Sequence, residues 1–335
     1  MIDLRSDTVT RPSDAMREAA REAEVGDDVY REDPTIEELQ DRTAELLGTE
    51  AALFLPSGTM GNQVAARVHT DRGQEVLCER ESHIYKWELA GLAQHAGVQP
   101  RTVDGDDRGL VTPEAVREGY VEESGHRPGT GLLAVENTHN SKGGTALSPD
   151  ALAAAADAAD DLGVPVHLDG ARLFNAATAH DVPASEFAAS VDSVMCCLSK
   201  GLGAPVGSML AGSEGFVERA RRVRKLLGGG MRQAGVIAAP GLRALENRHR
   251  LAEDHRRADR LAEGIDRVDG LAVQPPETNI VLVETDRPAE SFLADCEGEG
   301  VLGVPFDDRV VRFVTHWDVD DGDVDRAIGA IERAA

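Results

Sequence analysis

Three short segments carry side chains that could do chemistry together. In Cys196-Cys197-Leu198-Ser199-Lys200-Gly201-Leu202-Gly203 a lysine follows an apolar run and precedes two glycines. A lysine desolvated beside apolar strand residues gives up its proton more readily, and the free amine can form an imine with a carbonyl. In His167-Leu168-Asp169-Gly170-Ala171-Arg172 a carboxylate follows another apolar run. Such an acid either caps a helix, joins an ion pair, or holds a proton on a heteroaromatic nitrogen beside its fixed negative charge. In Phe54-Leu55-Pro56-Ser57-Gly58-Thr59-Met60-Gly61-Asn62 small residues lead from a strand into a helix. Free N–H groups at that helix start, with the Ser57 and Thr59 hydroxyls, suit a phosphate, although most such turns only cap a helix.

These groups need a scaffold that sets strand ends side by side. Short apolar runs at Ala51–Leu55, Glu75–Cys78, Gly131–Val135, Val164–Leu168, Ser193–Leu198 and Val206–Leu210 predict buried strands, with helix-length segments between them. Ser148-Pro149-Asp150 before an alanine-rich run predicts one such helix start. The alternation predicts an α/β architecture, a mostly parallel sheet covered by helices on both faces, with ligands beyond the carboxyl ends of the strands. After about residue 245 the pattern changes. A long charged helix over 246–268, strands over 278–283 and 310–314, and a closing helix over 323–333 predict an α+β unit. The expected division is a large domain, residues 1–245 with the N-terminal arm, and a small C-terminal α+β domain, residues 246–335.

Composition narrows the classes. Lys+Arg number 35 against 60 Asp+Glu, a net charge of −25, which repels nucleic acid and anionic membrane surfaces. Acid is scattered along the chain, and the only lysines are Lys86, Lys142, Lys200 and Lys225. This texture fits a halophilic protein whose self-repulsion is screened by salt, or an ordinary acidic one. Cys78, Cys196, Cys197 and Cys296 form no CxxC pair and have no histidine at metal-ligand spacing, so buried thiols and no metal site are expected. The charged start Met1-Ile2-Asp3-Leu4-Arg5 is unlike a signal peptide, and no run approaches about 18 apolar residues. A cytoplasmic protein is the expectation.

The order anion-binding turn, acid, lysine resembles that of pyridoxal-phosphate (PLP) enzymes with the aspartate-aminotransferase-like fold, fold type I. More specifically, the opening Ile2-Asp3-Leu4-Arg5-Ser6-Asp7-Thr8-Val9-Thr10-Arg11-Pro12 resembles that of low-specificity L-threonine aldolases, in the threonine aldolase/beta-eliminating lyase family. Val25-Gly26-Asp27-Asp28-Val29-Tyr30, Glu136-Asn137-Thr138-His139-Asn140, Gly228-Gly229-Gly230-Met231-Arg232-Gln233 and Val311-Arg312-Phe313-Val314-Thr315-His316 are similar too, so the likeness spans the chain.

The resemblance implies a PLP-dependent transferase-like fold with a sheet of the seven-stranded type and a homotetramer built from dimers with shared sites. Its implied activity is cleavage of threonine, allo-threonine and related β-hydroxy-α-amino acids to glycine and an aldehyde. It gives Lys200 to the cofactor imine, Asp169 to the ring nitrogen and His83 to the ring face. Ser57, Gly58 and Thr59 go to the phosphate, with Arg232 reaching across from a neighbouring subunit and Lys225 assisting. Ser6, Arg172 and Arg312 are implied for the substrate carboxylate, and Tyr30 for a site across the interface. For the base at the β-hydroxyl it leaves His126 and His83 in competition. The alternatives are another PLP-dependent β-eliminating lyase, or a non-catalytic PLP-binding protein.

Overall fold

The computed structural model describes residues Met1–Ala335. The chain enters through a short strand, β1 (Ile2–Asp3), and builds its main sheet from β2 (Ala51–Leu55), β3 (Glu75–Glu79), β4 (Gln99–Val103), β5 (Thr130–Glu136), β6 (Val166–Gly170), β7 (Ser193–Cys197) and β8 (Ser208–Gly212). The order across this seven-stranded sheet is β2-β8-β7-β6-β5-β3-β4. Every neighbouring pair from β7 to β4 is parallel; β8 alone runs against both its neighbours. Running opposite to β8, β2 therefore ends on the same edge as β7.

Both faces of the sheet are buried, which the strand residues show by alternation. Ala52 and Phe54 enter the largest core cluster, whereas Leu53 and Leu55 enter another on the opposite face. That two-sided burial is why the strands appear in sequence as short, nearly continuous apolar runs. The six runs expected as strands all occur, with bounds differing by a few residues. The seventh strand, β4, leaves no such signal, because an edge strand has only partial cover and Gln-Pro-Arg-Thr-Val offers no apolar run.

A second sheet of four antiparallel strands, β12-β13-β10-β9, follows. Its members are β9 (Leu271–Val273), β10 (Ile280–Thr285), β12 (Val304–Asp307) and β13 (Val310–Val314), while β11 (Val301–Leu302) pairs with β1. Val281, Val283, Val311 and Phe313 pack with the helices Leu251–Ile265 and Asp321–Ala334 in a separate core. Leu4 joins that core too, so the first residues of the N-terminal arm pack on the second unit, while Asp7, Thr10 and Met16 meet the first. By strand alternation Arg312 points away from this core, from the same face as Val310 and Val314. No helix is long and apolar enough to cross a membrane. All four cysteines are buried free thiols.

Candidate active site

The carboxyl ends of β2, β5, β6 and β7 open onto two adjoining cavities. The inner one, about 310 Å³, is lined by Ser57, Gly58 and Thr59 after β2, by Glu136, Thr138 and Asn140 at the end of β5, by Asp169 and Arg172, and by Ser199 and Lys200. The outer one, about 690 Å³, shares His83, Asn140, Arg172 and Lys200 with it and adds Ser6, Trp87, Phe306 and Arg312. Ser6, Ser57, Gly58, Thr59, His83, Asp169, Arg172, Lys200 and Arg312 thus share one cleft.

Ser57 is the N-cap of the helix Gly58–His69, its Oγ accepting from the Met60 N–H at 3.2 Å. The N–H groups of Gly58 and Thr59, in the first turn, have no intrahelical partner and are available to an anion. A Cβ on Gly58 would stand 3.0 Å from Cys197 Sγ, so glycine lets the helix start sit down on β7. Lys200 follows β7 in a tight loop: its carbonyl accepts from the Gly203 N–H at 2.8 Å, and the Leu198 N–H donates to Gly207 O at 3.0 Å. Gly207, at φ +106, lies where a Cβ would strike the Phe54 ring at 2.3 Å.

Asp169 is buried at the end of β6. Its Oδ2 accepts from Asn62 Nδ2 at 2.7 Å and its Oδ1 from the Ala171 N–H at 3.1 Å. The same Asn62 amide donates to Glu88 Oε1 at 2.8 Å, and Glu88 Oε1 also meets His83 Nδ1 at 3.0 Å. Burial alone would lower the His83 pKa, but Glu88, Asp169 and Glu136 outweigh it and hold it above the ordinary value. His83, Glu88 and Asp169 bring ligand-type atoms within 4.8 Å of one another, a convergence that the Asn62 and His83 hydrogen bonds explain.

Arg172 was expected to share the substrate carboxylate, and the structure gives it a different main partner. Its Nε and Nη2 donate to Asp7 Oδ2 and Oδ1 at 2.8 and 2.7 Å, both side chains being buried. Burial would raise the Asp7 pKa; the Arg172 guanidinium and Lys200 outweigh it and hold the carboxyl well below the ordinary range. A buried carboxylate with one guanidinium within reach takes its fork as a pair of bonds. Only Arg172 Nη1 is left toward the cleft, at 3.2 Å from Asn140 Oδ1, which also accepts from Arg312 Nη1 at 3.2 Å. Arg312 donates only to Asn140 Oδ1 and the Arg5 carbonyl, neither a carboxylate, and its buried Nε has no partner at all. Burial and the neighbouring Arg172 push its pKa down to about 10, the mark of a cation awaiting an anion. In a chain of net charge −25, the cations Lys86, Lys142, Lys200, Arg172 and Arg312 outnumber the acids Glu81 and Asp307 around the outer cavity.

Four expected residues lie outside the cleft. His126 occupies an exposed turn bridged by Ser124 and Arg127, before the amino end of β5. The rise of a strand, about 3.3 Å per residue, puts it roughly 20 Å from the end where the cleft opens. Arg232 is 58% exposed and pairs with Asp27 at 3.3 Å. Lys225 lies beside Gly230 in a separate surface cavity with Arg221, Arg224 and Asp28. Tyr30 is 72% exposed. Conversely, Asp7, Thr8, Asn62, Glu88 and Asn140 help build the site and were not expected there. Asp7, Thr8 and Asn140 fell within segments already quoted for their family likeness; nothing local marked Glu88.

The chain matches the beta-eliminating lyase family over residues 3–288. It belongs to that family. As a beta-eliminating lyase family member it is 43% identical to low-specificity L-threonine aldolase 1 of Arabidopsis thaliana, over 99% of this chain and 96% of that one. It is also 43% identical to the low specificity L-threonine aldolase of Escherichia coli K12, over 95% of each. The structure of Leishmania major threonine aldolase, 18% identical, superposes over 100% of both chains with a TM-score of 0.86. This structural likeness speaks for the fold.

Proposed function

We propose that this lyase cleaves threonine and allo-threonine, and other β-hydroxy-α-amino acids, to glycine and an aldehyde, with PLP as cofactor. The observation that carries the reading is one cleft that joins an anion-binding helix start, Asp169, Lys200 and the carboxylate-free Arg312. The residues fit PLP, and the buried, unpartnered Thr138 Oγ1 on the inner wall is a polar atom awaiting a ligand. Gly58 and Thr59 would hold its phosphate, Asp169 its ring nitrogen and Lys200 its aldehyde carbon. Bound there, PLP supplies a sink for the electron pair released when Cα–Cβ breaks.

The chain's own groups do the rest. Arg312 takes the substrate carboxylate, and Asn140 Oδ1 keeps Arg172 Nη1 beside it; holding the carboxylate fixes which Cα bond is presented for cleavage. His83 is the base in this reading. Its Nδ1 faces Glu88, which leaves Nε2 to take the β-hydroxyl proton, directly or through a water. No Arg or Lys other than Lys200 and Arg172 lines the inner cavity, so a phosphate dianion there calls for a cation from a second copy, supplied by Arg232 with Lys225. The exposed Val25, Tyr30, Leu226 and Val236 offer apolar surface for that contact, within a homotetramer of dimers.

The test is product detection with threonine and allo-threonine at low and high salt. Glycine and acetaldehyde are expected in equal amounts; keto acid and ammonia would mean elimination and overturn the reading. The pH profile tests the base. A base must be neutral, and the His83 pKa lies above the ordinary 6.5, so kcat/KM falls as pH drops through that raised value. The acid limb is therefore expected above pH 6.5, and Glu88→Gln, which removes an anion beside the ring, moves it to lower pH. A limb that stays in place in Glu88→Gln would remove His83 from the role.

A further inference from the structure

The inner carboxylate is held by a buried chain of polar groups that leads away from the cleft. Asn62 Oδ1 lies 3.0 Å from His167 Nε2. His167 Nδ1 lies 2.9 Å from Ser193 Oγ, and Ser193 Oγ lies 2.8 Å from His69 Nε2. Asn62, His167 and Ser193 are all buried.

The directions of these bonds follow from their two anionic ends. Asn62 stands between the Asp169 and Glu88 carboxylates, which accept only, so its NH₂ must face them and its oxygen must face His167. His167 must then donate from Nε2 and accept at Nδ1 from the Ser193 hydroxyl. Ser193 in turn accepts from His69 Nε2. Every hydrogen in the chain points toward the carboxylates. The arrangement needs both histidines neutral, and burial pushes His167 down to about 3 and His69 down to about 4.

We propose that Asn62 is a positioning residue that ties Asp169 and the Glu88–His83 pair into one register, and that His167 sets the direction of its amide. One amide thus orients both the carboxylate meant for a ring nitrogen and the carboxylate beside the base. Were the amide to turn over, its oxygen would face two anions, leaving Asp169 with the Ala171 N–H and Glu88 with Gln63 and His83 but nothing to tie the two together. The role is one of orientation at a distance, of the kind outer-shell partners play around metal ligands. It rests on the PLP reading above.

The experiment compares the PLP-loaded wild type with His167→Leu, which removes the N–H that holds the amide, and His167→Gln, whose side-chain amide can donate at similar reach. His167→Leu is expected to weaken PLP binding, read by absorbance titration, and to lower kcat, each about tenfold. KM for threonine should stay within about twofold, and His167→Gln should recover most of both losses. Wild-type PLP affinity and kcat in His167→Leu would overturn the proposal. So would equal losses in both variants that track the Tm of the cofactor-free protein. If His167→Leu does not fold, Asn62→Ala carries the test: the same paired loss with Tm kept supports the role, and wild-type values overturn it. A wild-type chain that takes up no PLP overturns the cofactor reading itself, a failure separable from that of Asn62.

Discussion

Lys200→Ala is expected to lower glycine formation from threonine by on the order of 10³-fold or more while the protein still folds and still takes up PLP. The site has two separable jobs. On the proposed reading, holding the cofactor would be spread over the Gly58–Thr59 helix start, Asp169 and Thr138, which line the inner cavity together, so loss of one amine should leave binding in place. Releasing product, on the same reading, would depend on the Lys200 amine, which would displace the product's amine for the next turnover. The side chain contributes little to packing, since it faces the cavities and only its carbonyl is tied into the loop, by Gly203 and Thr10. The Tm of the cofactor-free protein should therefore stay near that of the wild type. Turnover near the wild-type rate would remove Lys200 from the mechanism and leave Lys86 and Lys142, the other lysines on the outer cavity, to be tried.

The contrast between Lys200 and Arg172 explains how much of this site can be read from the chain. Lys200 and Asp169 were legible because each sits at the end of an apolar strand, and parallel strands bring their carboxyl ends to one edge whatever their order. The anion turn before Asn62 was legible for the same reason. The partner of Arg172 was not. Asp7 lies 165 residues away, and its meeting with Arg172 depends on β1 docking beside β11, which no local pattern announces. His126 stands apart for another reason. Sequence marks the loop before β5 but not which edge of the sheet it lies on, and it lies on the far one. Arg232, Lys225 and Tyr30 point to solvent in one chain, so their role turns on a second copy. Asn62 and His167 were passed over because a polar residue inside a buried helix or strand has a role only through partners on other strands. The α/β class needed only the alternation of strand and helix; edge strand β4 and the short strands β9, β11 and β12 escaped because too little of each is buried to leave a period.

Asp7→Asn is expected to destabilise the fold by about 3–5 kcal/mol, since it leaves the Arg172 guanidinium buried without a counter-charge. Asparagine keeps the size and one acceptor, so what is lost is charge, not packing. In urea the midpoint should fall at unchanged slope, the sign of lost stability without a changed unfolded state. The pH dependence carries the second half of the argument. Asp7 has a pKa held well below its ordinary 3.8, so its contribution is fully present above that value and is lost as pH falls through the folded-state value. The stability gap between wild type and Asp7→Asn should accordingly be full at pH 6 and narrow as both are acidified below about pH 4. Pairing the change with Arg172→Met removes the stranded cation as well, and the double variant should regain much of the loss. If Asp7→Asn unfolds at the wild-type urea midpoint, then Arg172 does not depend on Asp7. In that case both guanidinium groups, Arg172 and Arg312, are free to meet a substrate carboxylate, and the assignment of that carboxylate to Arg312 alone falls with it.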